Sequence, residues 1–138
     1  MNYSIVLTNL YFVLIYSDGK VNEHELATGR QILKNESIKE EDFNRQMEML
    51  KSVKTDVILG ESILALKKLR RTQQIRIVAW LCVVANGDGF MDKAEWALIY
   101  RIYHRELNLS LDEIFKIQKE LTRAARENAD PVMIKSVA

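Results

Sequence analysis

The sequence predicts an all-α fold from its proline and glycine usage, its apolar periodicity and an internal repeat. The 138 residues include one proline and five glycines, and alternating β-branched runs closed by Asn-Gly hairpins are missing. Apolar residues recur at helical spacing. We therefore expect one helical domain of about seven helices, because a chain of this length can bury a core without cross-links.

A repeat with an offset of about seventy residues organises the chain. An acidic turn at Asn86–Glu95 lies between two apolar segments, and the same skeleton appears in Ser17–Glu25. The equivalent pairs are Asp18 and Asp88, Gly19 and Gly89, Val21 and Met91, Asn22 and Asp92, and Glu25 and Glu95. We interpret the chain as a duplicated helix-turn-helix unit, in which any chemistry is expected at the two turns.

The first two helices enclose the first acidic turn. The first is predicted over about residues 3–17 and contains an apolar run of about twelve residues, short of the roughly twenty that span a bilayer. It has no basic leader and no cleavage site, so we expect a buried helix. Gly19 is expected to end it in the left-handed conformation. The second helix is predicted from Asn22 to about Lys34, with Glu25 completing a capping box.

The next three helices are predicted from capping signals and apolar spacing. Ser37–Glu40 reads as a capping box and opens a third helix through about residue 53. A fourth is predicted over about residues 56–71 and ends in a basic cluster. The fifth starts near Thr72. It is apolar on most sides from Ile75 to Ala85, which predicts the central buried helix.

Two further helices complete the second half. The sixth is predicted from Asp92 to about residue 106, with Glu95 as its capping-box partner. Ser110 and Glu113 form the start signal of the seventh, which is expected to end near Glu127.

These elements divide the single domain into two repeats. Repeat one covers about residues 3–53 and repeat two about residues 72–127, and the tail at 128–138 is predicted to fray. The helix at about 56–71 has no counterpart and is interpreted as a linker. The shared helix order predicts that the halves pack face to face around a pseudo-twofold axis.

Charge and cysteine content exclude several classes of partner. The net charge is +1, which favours neither nucleic acid nor an anionic membrane. The single cysteine, Cys82, lies in an apolar run, so no intrachain disulfide forms and a reducing compartment fits. We expect no nucleic-acid partner, no membrane insertion and a cytoplasmic location.

The carboxylates of the turns suggest a cation site. Asp88, Asp92 and Glu95 are spaced like the later ligands of an EF-hand calcium loop. The first ligand position would be Val84, which cannot coordinate, and the first turn lacks its two earliest ligands. Because calcium takes roughly six to eight oxygens, each loop alone offers an incomplete shell.

Two turns brought together would form a more complete site for a divalent cation such as calcium. The pooled ligands would be Asp18, Asn22, Glu25, Asp88, Asp92 and Glu95. The sequence does not show whether the two turns meet.

The same residues also have a purely structural explanation. The two glycines end helices, Asn22 and Asp92 are good N-caps, and Glu25 and Glu95 complete capping boxes, which contribute about 1 kcal/mol to each helix start. Aspartate before glycine commonly serves the local hydrogen bonding of a turn. Both interpretations stay open.

Other candidate residues have simpler explanations. His24, beside two glutamates, could join a softer metal site, but a solvated histidine is expected. Four aromatic residues are expected in the core, namely Trp80, Trp96, Tyr100 and Tyr103. The basic cluster Lys67–Arg71 is expected to complement the dipole of the fourth helix, with an anionic partner as the alternative. No phosphate loop, nucleophile motif or zinc signature is present.

The repeated signature Asp-Gly-x-apolar-(Asn/Asp)-x-x-Glu between helices resembles the TerB-like family of tellurite-resistance proteins, which includes the N-terminal helical domain of a DnaJ-like membrane co-chaperone. The resemblance covers about residues 7–121. Its specific content is Asp18, Gly19, Glu25, Asp88, Gly89 and Glu95. Two departures are Ser17, where the family usually shows Ala, and the Asn86-Gly87 start of the second turn.

The resemblance implies an all-helical stress-related or metal-associated module with no enzymatic activity, which acts through protein partners. A homodimer is compatible with it. Two alternatives come from other classes, a scaffold that binds no ion and a metal-assisted hydrolase on the same carboxylates. For the hydrolase, the only candidate base is His24.

Overall fold

The computed structural model describes residues 1–86 and 92–127, the last three as backbone. The described chain is helical and contains no strand, which confirms the predicted fold class. Its helices are α1 (Tyr3–Ile15), α2 (Glu23–Glu36), α3 (Glu40–Leu50), α4 (Thr55–Lys67), α5 (Arg71–Ala85), α6 (Lys93–Tyr100) and α7 (Leu111–Glu127). A π-helical segment, Arg101–Glu106, continues α6. Within these residues no helix is long and apolar enough to span a membrane.

Helices α1 and α5 form the buried centre. Every residue from Val6 to Ile15 is buried, and so is nearly all of α5 from Ile75 onward, because both helices are apolar on most sides. Each large apolar side chain removed from water contributes about 1.5–3 kcal/mol. The prediction that α5 is buried is confirmed, and α1 has the same role.

The two halves use equivalent packing partners. Helix α1 packs on α2 and α3, as α5 packs on α6 and α7. Contacts of α1 with α6, and of α2 with α5, cross between the halves. Helix α4, which has no counterpart, covers α1. The crossing contacts therefore place α1 next to α6 and α2 next to α5.

A buried polar group fixes the position of α4. Asn9 Nδ2 donates a hydrogen bond to Ser62 Oγ at 3.2 Å, and Gln46 Nε2 donates to Asn9 Oδ1 at 2.8 Å. Asn9 and Ser62 are buried, and such groups are costly when left without partners. These bonds therefore select one arrangement of α1 against α3 and α4.

The end of α2 is held by the carboxylate of Glu36. Arg76 donates to it from Nε at 2.6 Å and from Nη2 at 2.9 Å, and Trp80 Nε1 donates at 2.8 Å. The Tyr3 hydroxyl also donates to it, and burial together with this carboxylate raises the pKa of Tyr3 far above its usual value. The Glu36 side chain is only 6% exposed, so one buried charge joins α1, α2 and α5.

The helix ends match their sequence-based prediction at the turn between α1 and α2. They differ from it at the connection between α2 and α3. Gly19 has a φ of 77°, and Asn22 and Glu25 form the predicted capping box. The box predicted at Ser37 is wrong. Ser37 adopts a left-handed φ of 54° and ends α2, and α3 starts at Glu40 without a side-chain cap. The reason is that α2 continues to Glu36, where the buried ion pair with Arg76 holds it.

Several bounds also differ from the predicted ones. Helix α1 ends at Ile15 and α3 at Leu50, both earlier than predicted. The sequence did not predict the π-helical segment, in which the Leu107 N–H donates to the Ile102 carbonyl. Predictions for Asp88, Gly89, Met91 and the tail at 128–138 concern residues outside the described ones.

Candidate metal centre

Three carboxylates from the two turns meet at one place. Asp18, Asp92 and Glu95 each offer an oxygen, and these oxygens all lie within 4.8 Å of one another. Asp18 belongs to the turn between α1 and α2, whereas Asp92 and Glu95 begin α6. The structure thus answers the question that the sequence left open, because the turns of the two repeats adjoin.

Asp18 is positioned by its own turn. Its Oδ1 accepts a hydrogen bond from the Lys20 backbone N–H at 2.9 Å, and the left-handed Gly19 between them allows the chain to reverse. The side chain is exposed. The turn therefore holds a carboxylate at the molecular surface, directed to the start of α6.

Asp92 and Glu95 are positioned by the first turn of α6. Asp92 is the N-cap, and its Oδ1 accepts from the Ala94 N–H at 2.7 Å. The Asp92 backbone N–H lies near the Glu95 carboxylate and favours its ionised form. Asp92 caps α6 as predicted, but the predicted capping box with Glu95 is wrong, because the Asp92 side chain accepts from Ala94 instead of Glu95.

Glu25 lies beside this group without belonging to it, and Asn22 is its partner in a capping box. They bond to each other, from Glu25 N to Asn22 Oδ1 at 2.8 Å and from Asn22 N to Glu25 Oε1 at 2.9 Å. The buried Glu25 is close enough for its charge to raise the pKa of Glu95. Asp88 lies outside the described residues. The ligand roles of all six residues stay predictions.

Glu95 is the electrostatically unfavourable member of the group. It is 7% exposed, and no described residue donates a hydrogen bond to its Oε2. Burial raises the pKa of Glu95 to about 7, and the charges of Glu25, Asp18 and Asp92 act in the same direction. The Asp92 N–H opposes them. A carboxylate in this position is destabilised whenever it is ionised.

Among the side chains that the structure describes, none balances the negative charge of the group. Within residues 1–86 and 92–124 no lysine or arginine forms an ion pair with Asp18, Asp92 or Glu95. All the donor atoms are carboxylate oxygens, which are the ligands of hard cations such as calcium and magnesium. The orphaned Glu95 oxygen and this donor set fit a divalent cation.

His24 and Cys82 have no role in the carboxylate group. His24 Nε2 lies 3.2 Å from Thr28 Oγ1, and His24 is not a member of the carboxylate group. Cys82 is fully buried, and burial raises its pKa to about 12. Its thiol is therefore protonated and inert.

The aromatic and basic clusters differ in part from their predicted positions. Trp80 and Tyr103 are buried as predicted, but Trp96 is 38% exposed, so its assignment to the core is wrong. One residue corresponds to about 100° of rotation on an α-helix, and this step from the buried Glu95 turns Trp96 toward solvent.

In the basic cluster, Lys67 pairs with Glu106 at 3.1 Å and Arg71 with Glu113 at 3.2 Å.

Comparison with known proteins identifies a family. The family model described as "Tellurite resistance protein TerB" matches residues 4–130. The match covers nearly the whole chain and includes both acidic turns. Searches of curated proteins and of solved structures gave no match.

Proposed function

The chain belongs to the family of the tellurite resistance protein TerB, and we propose that it is a non-enzymatic module whose two acidic turns jointly hold one divalent cation. Calcium is the expected ion. The observation that carries the proposal is the approach of Asp18, from one repeat, to Asp92 and Glu95, from the other, within 4.8 Å.

The spacing and the chemistry of the group suit this ion. Calcium binds oxygens at about 2.3–2.6 Å, so two of its ligands lie at most roughly 5 Å apart. Three carboxylates can offer up to six oxygens, some of which are engaged by backbone N–H groups of the turns. Water would complete a shell of roughly six to eight oxygens.

Repulsion between the carboxylates favours the binding of a cation. Glu25, Asp18 and Asp92 repel the buried Glu95 carboxylate, and a cation at this place reverses the sign of that interaction. A ligand that binds only the folded state also stabilises it by linkage, by about 2.7 kcal/mol at a hundred times its Kd.

The location of the group gives the ion a mechanical role. A cation held there joins the turn after α1 to the first turn of α6, and so joins the two repeats. We propose that this link sets the arrangement of the surface around α6, through which the module acts on protein partners in a tellurite or other stress response.

A second candidate function is a scaffold that binds no ion. The observation that favours it is the hydrogen bonding of the turns, since Asn22 and Glu25 complete a capping box and Asp18 accepts from its own turn. In that case the acidic residues serve helix starts, and partner binding alone carries the function.

The deciding experiment is an NMR titration with calcium, magnesium, manganese and zinc. Asp18→Asn removes a charge but keeps the acceptor oxygen of the turn, and Asp112→Asn removes an exposed carboxylate at the start of α7 as a matched control. We expect saturable shifts at 18–25 and 92–95 in the wild type and the control, and their loss in Asp18→Asn.

Two results would contradict the proposal. Unchanged spectra up to millimolar ion would favour the scaffold. Shifts that persist equally in Asp18→Asn would indicate diffuse association with surface charge.

A further inference from the structure

An aromatic surface begins at Trp96, four residues after Asp92. Trp96, Tyr100, Tyr103 and His104 form an aromatic strip along α6 and the π-helical segment. Ring centroids are 6.5 Å apart for Trp96 and Tyr100, 6.2 Å for Trp96 and Tyr103, and 4.8 Å for Tyr100 and His104, whose rings stack. Trp96 and His104 are exposed, Tyr100 is half-buried, and Tyr103 lies beneath them.

Comparison of the two repeats indicates that a helix at this position does not need the exposed aromatic residues of the strip. Helices α2 and α6 begin alike, each with a buried glutamate in its first turn. At the positions equivalent to the strip, α2 carries Leu26, Arg30, Leu33 and Lys34. The equivalent helix of the first half, α2, therefore forms with the exposed residues Arg30 and Lys34 at these positions.

Exposed aromatic groups of this kind are typical of interfaces. Tryptophan and tyrosine are enriched at the positions where binding energy concentrates, because they bury large areas and lose few rotamers. Ring contacts hold the strip in place before any partner arrives, so little order has to be gained on binding.

The charge beside the strip indicates the chemistry of the partner. Asp18, Asp92 and Glu95 meet within 4.8 Å, and among the described residues no lysine or arginine forms an ion pair with them. Trp96 lies four residues after Asp92, a spacing at which side chains share one face of a helix, so the exposed ring of the strip begins on the Asp92 side of α6. Cationic side chains bind both aromatic faces and carboxylates, whereas an acidic segment would be repelled.

We propose that the aromatic strip docks a basic segment of a partner protein, with an arginine or lysine side chain lying on the Trp96 ring and its charge directed to the carboxylates of Asp92 and Glu95. The docking shares carboxylates with the cation site but does not require a bound ion. A bound cation weakens it, because the cation reduces the negative charge.

The two tryptophans make the test direct. The indole N–H of Trp96 reports on the strip, whereas that of the buried Trp80 donates to Glu36 and serves as an internal reference. The probe is a pool of short peptides with arginine or lysine at the centre and random flanks, compared with the same pool carrying glutamate at the centre. Both pools are titrated in EDTA and in calcium.

The test variants are chosen from the residues of the first repeat. Trp96→Leu and Tyr100→Arg insert the residues that α2 carries at the equivalent positions, and Phe115→Leu is the control at another exposed aromatic, 41% exposed on α7. In EDTA we expect the basic pool to shift Trp96 but not Trp80. We also expect at least tenfold weaker binding to the double variant Trp96→Leu, Tyr100→Arg and unchanged binding to the control.

Three results would overturn the proposal. These are an equal response to the basic and acidic pools, no response of Trp96 up to millimolar peptide, and binding that requires calcium. Because the EDTA arm contains no divalent cation, failure of the cation site leaves this test intact.

Discussion

The carboxylates of Asp18 and Glu95, which belong to different repeats, present oxygens within 4.8 Å of each other, and the charge of Asp18 helps to raise the pKa of Glu95 to about 7. Two like charges held this close destabilise the fold unless a proton or a cation intervenes. The pH and ion dependence of stability should therefore report on this pair.

In the absence of divalent ions, the protein should lose stability as the pH rises from about 4.5 to about 7. The folded-state pKa of Glu95 is raised from its usual 4.5 to about 7, so the folded state binds more protons than the unfolded state in this window. Its contribution therefore falls with pH, by about 1–3 kcal/mol at most. Urea denaturation in EDTA at several pH values measures it.

Glu95→Gln is the variant that isolates this effect, since glutamine has nearly the same shape as glutamate and carries no charge. The decrease between pH 4.5 and 7 should become smaller in Glu95→Gln. An identical decrease in wild type and variant would show that other groups cause it.

Calcium should restore the folding stability that the protein loses as the pH rises. At a hundred times its Kd it should stabilise the protein by about 2.7 kcal/mol, and the gain should be larger at pH 8 than at pH 5 because protons compete for Glu95. Thermal denaturation with calcium or EDTA measures it. Asp92→Asn, which keeps a good N-cap, should lose most of the gain. An equal gain in this variant would contradict the assignment of Asp92.

Glu36→Gln should destabilise the protein by about 2–4 kcal/mol. The buried carboxylate holds the guanidinium of Arg76 and the indole of Trp80, and removing one partner of a buried pair leaves the others poorly satisfied. Urea denaturation followed by tryptophan fluorescence measures the loss.

The repeat provides a control for Glu36. Glu106 occupies the equivalent position, and its carboxylate pairs with Lys67 and Arg101, whose side chains are about half exposed. Such pairs contribute up to about 1 kcal/mol, so Glu106→Gln should cost less than Glu36→Gln. Equal costs would mean that the Glu36 network adds nothing beyond an exposed ion pair.

Alanine substitutions at two helical glycines should change the stability of the protein in opposite directions. A Cβ at Gly29 would collide with the Tyr11 hydroxyl, whereas one at Gly60 would meet nothing within 4 Å. We expect Gly29→Ala to cost about 1–3 kcal/mol and Gly60→Ala to stabilise by about 0.5–1 kcal/mol through helix propensity. Denaturant midpoints measure both.

Tyr11→Phe should relieve part of the cost of Gly29→Ala, since it removes the hydroxyl that collides. The hydroxyl also donates to the Glu25 carbonyl at 2.8 Å, so Tyr11→Phe alone should destabilise. Additive effects of the two substitutions would rule out the steric explanation.

Much of this architecture could be predicted from local patterns. Apolar periodicity identified the seven α-helices and the buried α5, and the Asn22–Glu25 capping box formed as predicted. The Asp-Gly signature identified the family. These features depend on residues a few positions apart, whose hydrogen bonds and helical faces are determined by the nearby sequence.

Predictions from local patterns were wrong where contacts between residues far apart in the sequence determine the structure. Ser37 has a good capping signal, but the ion pair of Glu36 with Arg76 extends α2 up to it. Trp96 looks like a core residue by composition, and the packing of α6 leaves it 38% exposed.

The sequence by itself determined the helices, the repeat and the presence of two acidic turns. Only the tertiary structure decided that the turns meet, and that Asp18 joins Asp92 and Glu95 while Asn22 and Glu25 bond to each other. The physical reason is that helix starts form from neighbouring residues. The distance between the turns depends on the packing of α1 and α2 against α5 and α6, through side chains far apart in the chain.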